Sequence, residues 1–174
     1  MNRVSRSKFK PCIVSCLSLT LLATLSVANA QTQYNGSTAG PYGGKYYSAV
    51  PAYLNWVDAR NQAQSLYIVR SGTRHYGHLA TMNTFGENQY VFYNLGQPVG
   101  YWLGGYQNLN QQYPWVGWNW VTGWPTDFTN WASGEPNDGS GNEDNTQNYL
   151  CFTNSGFWDD ASGRHSGFVV EFEP

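Results

Sequence analysis

The chain has 174 residues, a size that supports one ordinary domain and not two. Charged residues make up only 11% and aromatics 17%, which excludes a disordered polyelectrolyte and a nucleic-acid binder. The formal charge of −2 conceals a lopsided distribution: four of the nine basic residues lie in the first ten positions, and all eleven acids lie beyond position 57.

Arg3, Arg6, Lys8 and Lys10 precede an apolar run from Ile13 to Val27, followed by Ala28-Asn29-Ala30 and polar Gln31. Basic, apolar and small-residue regions in that order predict a secretory signal peptide over 1–30. The run is about 15 residues, short of the ~20 that span a bilayer, so no transmembrane anchor is expected. The protein is expected to be secreted, or periplasmic in a bacterium. Without residues 1–30, five basic residues remain against eleven acids, a formal charge of −6. Cys12 and Cys16 leave with the signal, so Cys151 stands alone and no intramolecular disulfide is available.

Residues 31–44 are polar and Gly-rich and predict a leader or linker ahead of a domain over 45–174. Tyr46, Tyr47 and Val50 suggest a short strand. Trp56, Ala59, Ala63 and Leu66 recur at helical spacing and predict a helix over about 53–66. Thr84-Phe85-Gly86-Glu87 reads as a capping box opening a second helix, which Val91 and Leu95 continue to a stop at Gly96. Beyond it, 101–105, 116–120, 149–152 and 168–172 read as strands, with a long loop over 121–148. Two helices followed by a strand-rich half predict an α+β fold. A loop that long inside a compact domain usually carries function.

Six of the eleven acids (Glu135, Asp138, Glu143, Asp144, Asp159, Asp160) fall between 135 and 160, and no Lys or Arg occurs between Arg74 and Arg164. Carboxylates gathered without cationic partners repel one another. Oxygen-only ligands interspersed with Asn and Gly suit Ca²⁺; a solvated acidic loop needing no ion is the alternative. The spacing does not fit an EF-hand.

Trp131-Ala132-Ser133-Gly134-Glu135-Pro136-Asn137-Asp138, followed by Phe157-Trp158-Asp159-Asp160, resembles the Glu-Pro-Asn loop and Trp-Asn-Asp strand of the C-type lectin-like domain. Tyr101-Trp102-Leu103-Gly104-Gly105, Gly77-His78-Leu79-Ala80-Thr81-Met82, Trp56-Val57-Asp58-Ala59-Arg60 and the closing Phe168-Val169-Val170-Glu171-Phe172 match in order, so the resemblance spans about 45–173. It implies an α+β fold with two helices, small antiparallel sheets and a long calcium-binding loop. It also implies one Ca²⁺ held by Glu135, Asn137, Glu143, Asp159 and Asp160, with Glu135, Asn137, Glu143 and Asp159 contacting sugar. Ca²⁺ accepts 6–8 oxygens, which leaves positions for vicinal sugar hydroxyls. In the family, Glu-Pro-Asn accompanies mannose-type hydroxyls, and a cis bond is expected before Pro136. The implied partner is a carbohydrate on a cell surface or glycoprotein, or a protein if the fold serves as an interaction module.

This sequence departs from the family in places. Asp159 stands where sugar-binding members carry Asn; a carboxylate accepts but cannot donate, so one hydrogen bond to sugar is lost while the ion gains a charge. Glu143 competes with Gln147 as third ligand. A second, accessory site would use Asp138, Glu143 and Asp144, but amides at Gln107 and Gln111 stand where its other ligands are expected. The family's disulfide cysteines are absent, as in bacterial-looking members.

Trp102, Trp118, Trp120, Trp131 and Trp158 are predicted core residues, whereas Trp115 and Trp124 flank loops and are candidates to stack on a sugar. His78 is expected to be structural, and Arg74 and Arg164 to pair with surface acids. No nucleophile elbow, metalloprotease helix or phosphate loop is present. Asp159 and Asp160 should point to opposite faces of a strand, unlike a glycosidase pair. An enzyme is therefore not expected.

Overall fold

The computed structural model describes residues 30–123 and 127–174. The predicted signal peptide up to residue 29, with its basic residues and Cys12 and Cys16, and Trp124 lie outside the described residues. The elements in chain order are β1 (Thr32–Gln33), β2 (Ala39–Tyr42), β3 (Lys45–Leu54), α1 (Trp56–Gln64), β4 (Leu66–Arg70), β5 (Thr73–Leu79), α2 (Phe85–Asn94), β6 (Tyr101–Gln107), β7 (Trp118–Trp120), β8 (Tyr149–Phe152), β9 (Trp158–Ala161) and β10 (His165–Glu173). Two helices and a mixed sheet make the α+β fold. No helix among the described residues is long and apolar enough to cross a membrane.

The closing strand β10 is the hub. It pairs antiparallel with β3 and β5, and parallel with β6 through Gly167↔Tyr101 and Phe168↔Trp102. From β6 the sheet continues to β8 and then β9, while β7 also pairs with β6. Separate small antiparallel sheets are therefore not what forms. The strands connect through β10, and two pairings, β6–β10 and β1–β4, are parallel. Phe168, Val169 and Val170 are buried on both faces of this hub, which suits their unbroken apolar run.

Residues 31–44 are not a leader in the structure. β1 pairs with β4, β2 pairs with β3, and the Tyr34 hydroxyl lies 2.7 Å from Ser48 Oγ while its ring stacks on Phe172. The polar composition of the stretch reflects its edge position, not detachment. β3, expected as a short strand around Tyr46, Tyr47 and Val50, is also longer than that. Pro51, opposite Gly167, is tolerated where the ladder shifts register, and the strand runs on to Leu54.

The first helix starts about three residues later than its apolar spacing suggested, because Asn55 caps it: its side chain accepts from Asp58 N–H at 2.8 Å. The helix buries Trp56, Ala59 and Ala63 against one core cluster with Trp102 and Phe168. Thr84 caps α2 as its sequence signals, accepting from Glu87 N–H at 3.1 Å. Glu87 does not complete the box. Its Oε2 reaches past the cap to Asn83 N–H (2.7 Å), and its Oε1 takes the Tyr47 hydroxyl (2.6 Å) and Lys45 Nζ (3.2 Å). The helix ends at Gly96 (φ +75°), with Gln97 N–H returning to the Phe92 carbonyl.

The β4–β5 hairpin has no counterpart among the predicted elements. Its turn residues, Ser71 (φ +50°) and Gly72 (φ +81°), both take left-handed conformations that match strand twist. Trp102, Trp120 and Trp158 are fully buried; Trp118 and Trp131 are half-buried and meet edge to face at 4.7 Å. Cys151 is a free, buried thiol whose pKa burial pushes up.

His78 is half-buried at the hub, its Nε2 2.7 Å from Glu173 Oε1 and its Nδ1 2.8 Å from the Leu79 carbonyl. The two arginines meet other partners than acids. The Arg74 guanidinium lies 4.6 Å from the Tyr67 ring centre, and Arg164 donates to the Tyr53 carbonyl at 3.2 Å.

Candidate metal centre

β9 lies at the end of the sheet path, beyond β8, so its outer edge is open to the long loop. The loop docks there by main-chain bonds: Trp158 N–H donates to Asn130 O (2.9 Å) and Ala132 N–H to Trp158 O (2.8 Å). Gly134 (φ +95°) then turns the chain, and the Glu135–Pro136 bond is cis. Residues 135–138 are thereby laid beside Asp159 and Asp160.

Asp160 fastens that contact. It is buried, and its two oxygens accept from Asn137 N–H (2.9 Å) and Asp138 N–H (2.6 Å). Asp138, also buried, organises the next part of the loop. It accepts from Asp144 N–H (2.5 Å), Thr146 N–H (2.9 Å), Gln147 N–H (2.5 Å) and the Thr146 hydroxyl (3.0 Å). Burial works to raise the Asp138 pKa, but these donors outweigh it and hold the carboxyl below its usual range. A carboxylate already enclosed by backbone donors is a loop organiser.

Glu135, Asp159 and Asp160 each offer a carboxylate oxygen within 4.8 Å of the others. Asp159 and Asp160 therefore do not diverge as strand alternation suggested. Alternation separates Cβ directions in the middle of this four-residue edge strand, yet one oxygen of each aspartate still comes within 4.8 Å of the other and of a Glu135 oxygen. Glu135 Oε2 is shielded from solvent and has no hydrogen-bond partner. Burial, then the adjacent Asp159 charge and bonds to Asp160, raise the Glu135 pKa to about 7. Asp159 is raised too, by burial and by Asp160, with His165 acting in the opposite sense. A proton or a cation must offset this crowding, and an orphaned oxygen in an all-oxygen donor set suits a hard cation such as Ca²⁺.

The other two expected ligands face elsewhere. Asn137 Oδ1 accepts from Gly139 N–H at 2.5 Å, closing the turn after Pro136. Glu143 Oε2 accepts from Gln107 Nε2 (2.9 Å) and its Oε1 from Asn145 N–H (3.0 Å). Gln147 lies against Gly139, its backbone bound to Asp138, and is not in the cluster.

A second convergence was not foreseen. His78, Glu171 and Glu173 bring donor atoms within 4.8 Å of one another, and Lys45 Nζ sits 2.6 Å from Glu171 Oε1. Burial raises the Glu171 pKa despite His78 and Lys45. Lys45 already supplies the cation for this knot, which ties β3, β5 and β10 together. Only the alternation of His78, Glu171 and Glu173 in paired strands signals it. Two cavities, of about 280 and 420 Å³, open beside Tyr34 and Ser48 and beside Lys45 and Thr122, both away from the loop acids.

Comparison with known proteins follows the same lines. The chain is 31% identical over 122 residues to human C-type lectin domain family 17, member A, covering 70% of this chain and 28% of that protein. It spans only about a quarter of the length of the curated relatives it matches (28% and 24%). Among solved structures, the C-type lectin CEL-I from Cucumaria echinata superposes with a TM-score of 0.62 at 20% identity, covering 81% of this chain and 98% of that one. Herring type II antifreeze protein superposes with a TM-score of 0.58 at 17% identity, covering 79% and 97%. No protein-family model matches the chain. The strand order, the two helices and the long loop of this chain make up the C-type lectin fold.

Proposed function

We propose that this protein is a Ca²⁺-dependent carbohydrate-binding domain and not an enzyme, exported by the signal segment over 1–30. One observation carries the reading: three carboxylates converge on the long loop, one with a shielded, partnerless oxygen, and no Lys or Arg lies between Arg74 and Arg164 to neutralise them. Glu135, Asp159 and Asp160 would supply the charge for the ion. Asn137 and Glu143 would complete the set by exchanging their bonds to Gly139 and Gln107 for the ion, a local change within one loop. The resemblance of Glu135-Pro136-Asn137 to Glu-Pro-Asn lectins favours mannose-type hydroxyls. The open coordination positions of the ion and the side chains of Glu135, Asn137, Glu143 and Asp159 would hold them.

Asp159 favours a second reading. A carboxylate there cannot donate to a sugar oxygen, which suits a module where the ion only stiffens the loop and a protein is the partner. The antifreeze protein of the same fold is consistent with other uses of this scaffold. A glycan array run with Ca²⁺ and with chelator separates the two. Chelator-sensitive binding to mannose-type glycans supports the lectin. A chelator-induced fall in Tm with no glycan bound supports the structural module.

A further inference from the structure

The loop joining β6 to β7 presents an aromatic surface that the acid cluster does not use. Tyr113 and Trp115 stack face to face, ring centres 4.7 Å apart and planes inclined by 8°. Tyr113 is 43% exposed and Trp115 62%, and Leu109 in the same loop is 62% exposed. Trp115 is the one exposed indole among the described residues; the others are buried or half-buried. Scattered exposed apolar side chains need no explanation, but a stacked pair on a braced backbone does.

The bracing is explicit. The buried Gln107 amide lies within hydrogen-bond distance of the carbonyls of Tyr113 (3.3 Å), Pro114 (3.1 Å) and Val116 (2.9 Å). Trp118 Nε1 donates to the Pro114 carbonyl at 2.8 Å. Asn110 N–H donates to Asn145 Oδ1 (2.6 Å), a bond independent of the one Glu143 would exchange for the ion, so the aromatic loop and the acidic loop share one frame. Residues 101–123 carry no charged side chain, and the exposed neighbours of the pair are the amides Asn108, Asn110 and Gln112. A flat π-face edged by neutral donors and acceptors fits a partner that is uncharged, apolar on one face and hydroxylated round its rim. A pyranose ring has that form.

We propose that Tyr113 and Trp115 form a second carbohydrate subsite, stacking on the C–H face of one ring of a glycan whose other end is held at Glu135, Asp159 and Asp160. The subsite rests on the reading of the acid cluster given above and extends it from single sugars to oligosaccharides. Two contacts on one frame make the second binding event intramolecular, so a chain gains over a single sugar.

Calorimetric titration of the full chain in CaCl₂, with methyl α-mannoside and with a linear mannopentaose, tests this. The wild type should bind the pentasaccharide about tenfold tighter. Trp115→Ala should remove that gain while leaving the methyl mannoside affinity and the Ca²⁺-induced Tm shift unchanged, and Trp115→Phe should keep most of it. Equal affinity of the wild type for both sugars, or a gain that survives Trp115→Ala, overturns the subsite and leaves the acid-site reading standing. Pentasaccharide binding that ignores chelator but is lost in Trp115→Ala supports the platform and overturns its coupling to the ion. A wild type that binds neither sugar in CaCl₂ overturns both.

Discussion

The carboxylate cluster makes opposite demands on the free and ion-bound protein as pH changes. Glu135 has its pKa raised from 4.5 to about 7 by burial and by Asp159. The unfolded chain ionises this group near 4.5, the folded chain only near 7. Its contribution to stability is thus complete below the lower value and lost as pH rises through the upper one. Without Ca²⁺, Tm should fall between pH 5 and pH 8. Bound Ca²⁺ requires the ionised carboxylate, so its affinity should rise over the same range. With a pKa near 7, about nine-tenths of Glu135 is protonated at pH 6 and about one-tenth at pH 8, so affinity should differ by roughly tenfold. For a dissociation constant of ~10⁻³ M, typical of extracellular modules, 10 mM Ca²⁺ should stabilise the domain by about 1.4 kcal/mol at pH 8. That corresponds to roughly 5 °C in Tm for a domain of this size. Differential scanning calorimetry at pH 6 and pH 8, with and without CaCl₂, reads both effects. A Ca²⁺ increment of equal size at the two pH values, or none at pH 8, would refute the assignment of Glu135 to the ion.

Asp159→Asn restores an amide donor and removes one charge: Ca²⁺ affinity should fall by about tenfold while methyl mannoside binding at saturating Ca²⁺ improves, both readable by calorimetry. Asp138→Asn trades an oxygen enclosed by the Asp144, Thr146 and Gln147 N–H groups for a partial donor; thermal unfolding should show a loss of about 2 kcal/mol. Because the Asp138 pKa is held low, its stabilisation is present above pH ~4 and lost as pH falls below it, so the wild type and Asp138→Asn should converge in acid. Lys45→Met leaves fully buried Glu171 beside Glu87 without its cation and should cost about 3–5 kcal/mol in urea unfolding.

Much of the fold is legible in local chemistry. The apolar period of Trp56, Ala59 and Ala63, the Thr84 cap and the Gly96 stop place both helices within a few residues. Hairpin β4–β5 was missed, although Ser71-Gly72 between β-rich runs carries a two-residue turn signal that could have found it. Residues 31–44 were not legible, because an edge strand of polar composition differs from a linker only in having a partner, and the partner, β3 or β4, is remote in sequence.

The candidate site divides in the same way. That acids concentrate in one loop and strand without cations, and that they resemble a Glu-Pro-Asn site, is a property of the sequence alone, because charge and motif are carried by neighbouring residues. Which carboxylates meet is a tertiary outcome. Glu135, Asp159 and Asp160 converge because loop residues 130–132 dock on β9, while Glu143 is drawn to Gln107 and Asn137 to its own turn. Carboxyl arms and backbone donors several residues apart compete for the same bonds, and only the folded geometry decides among them.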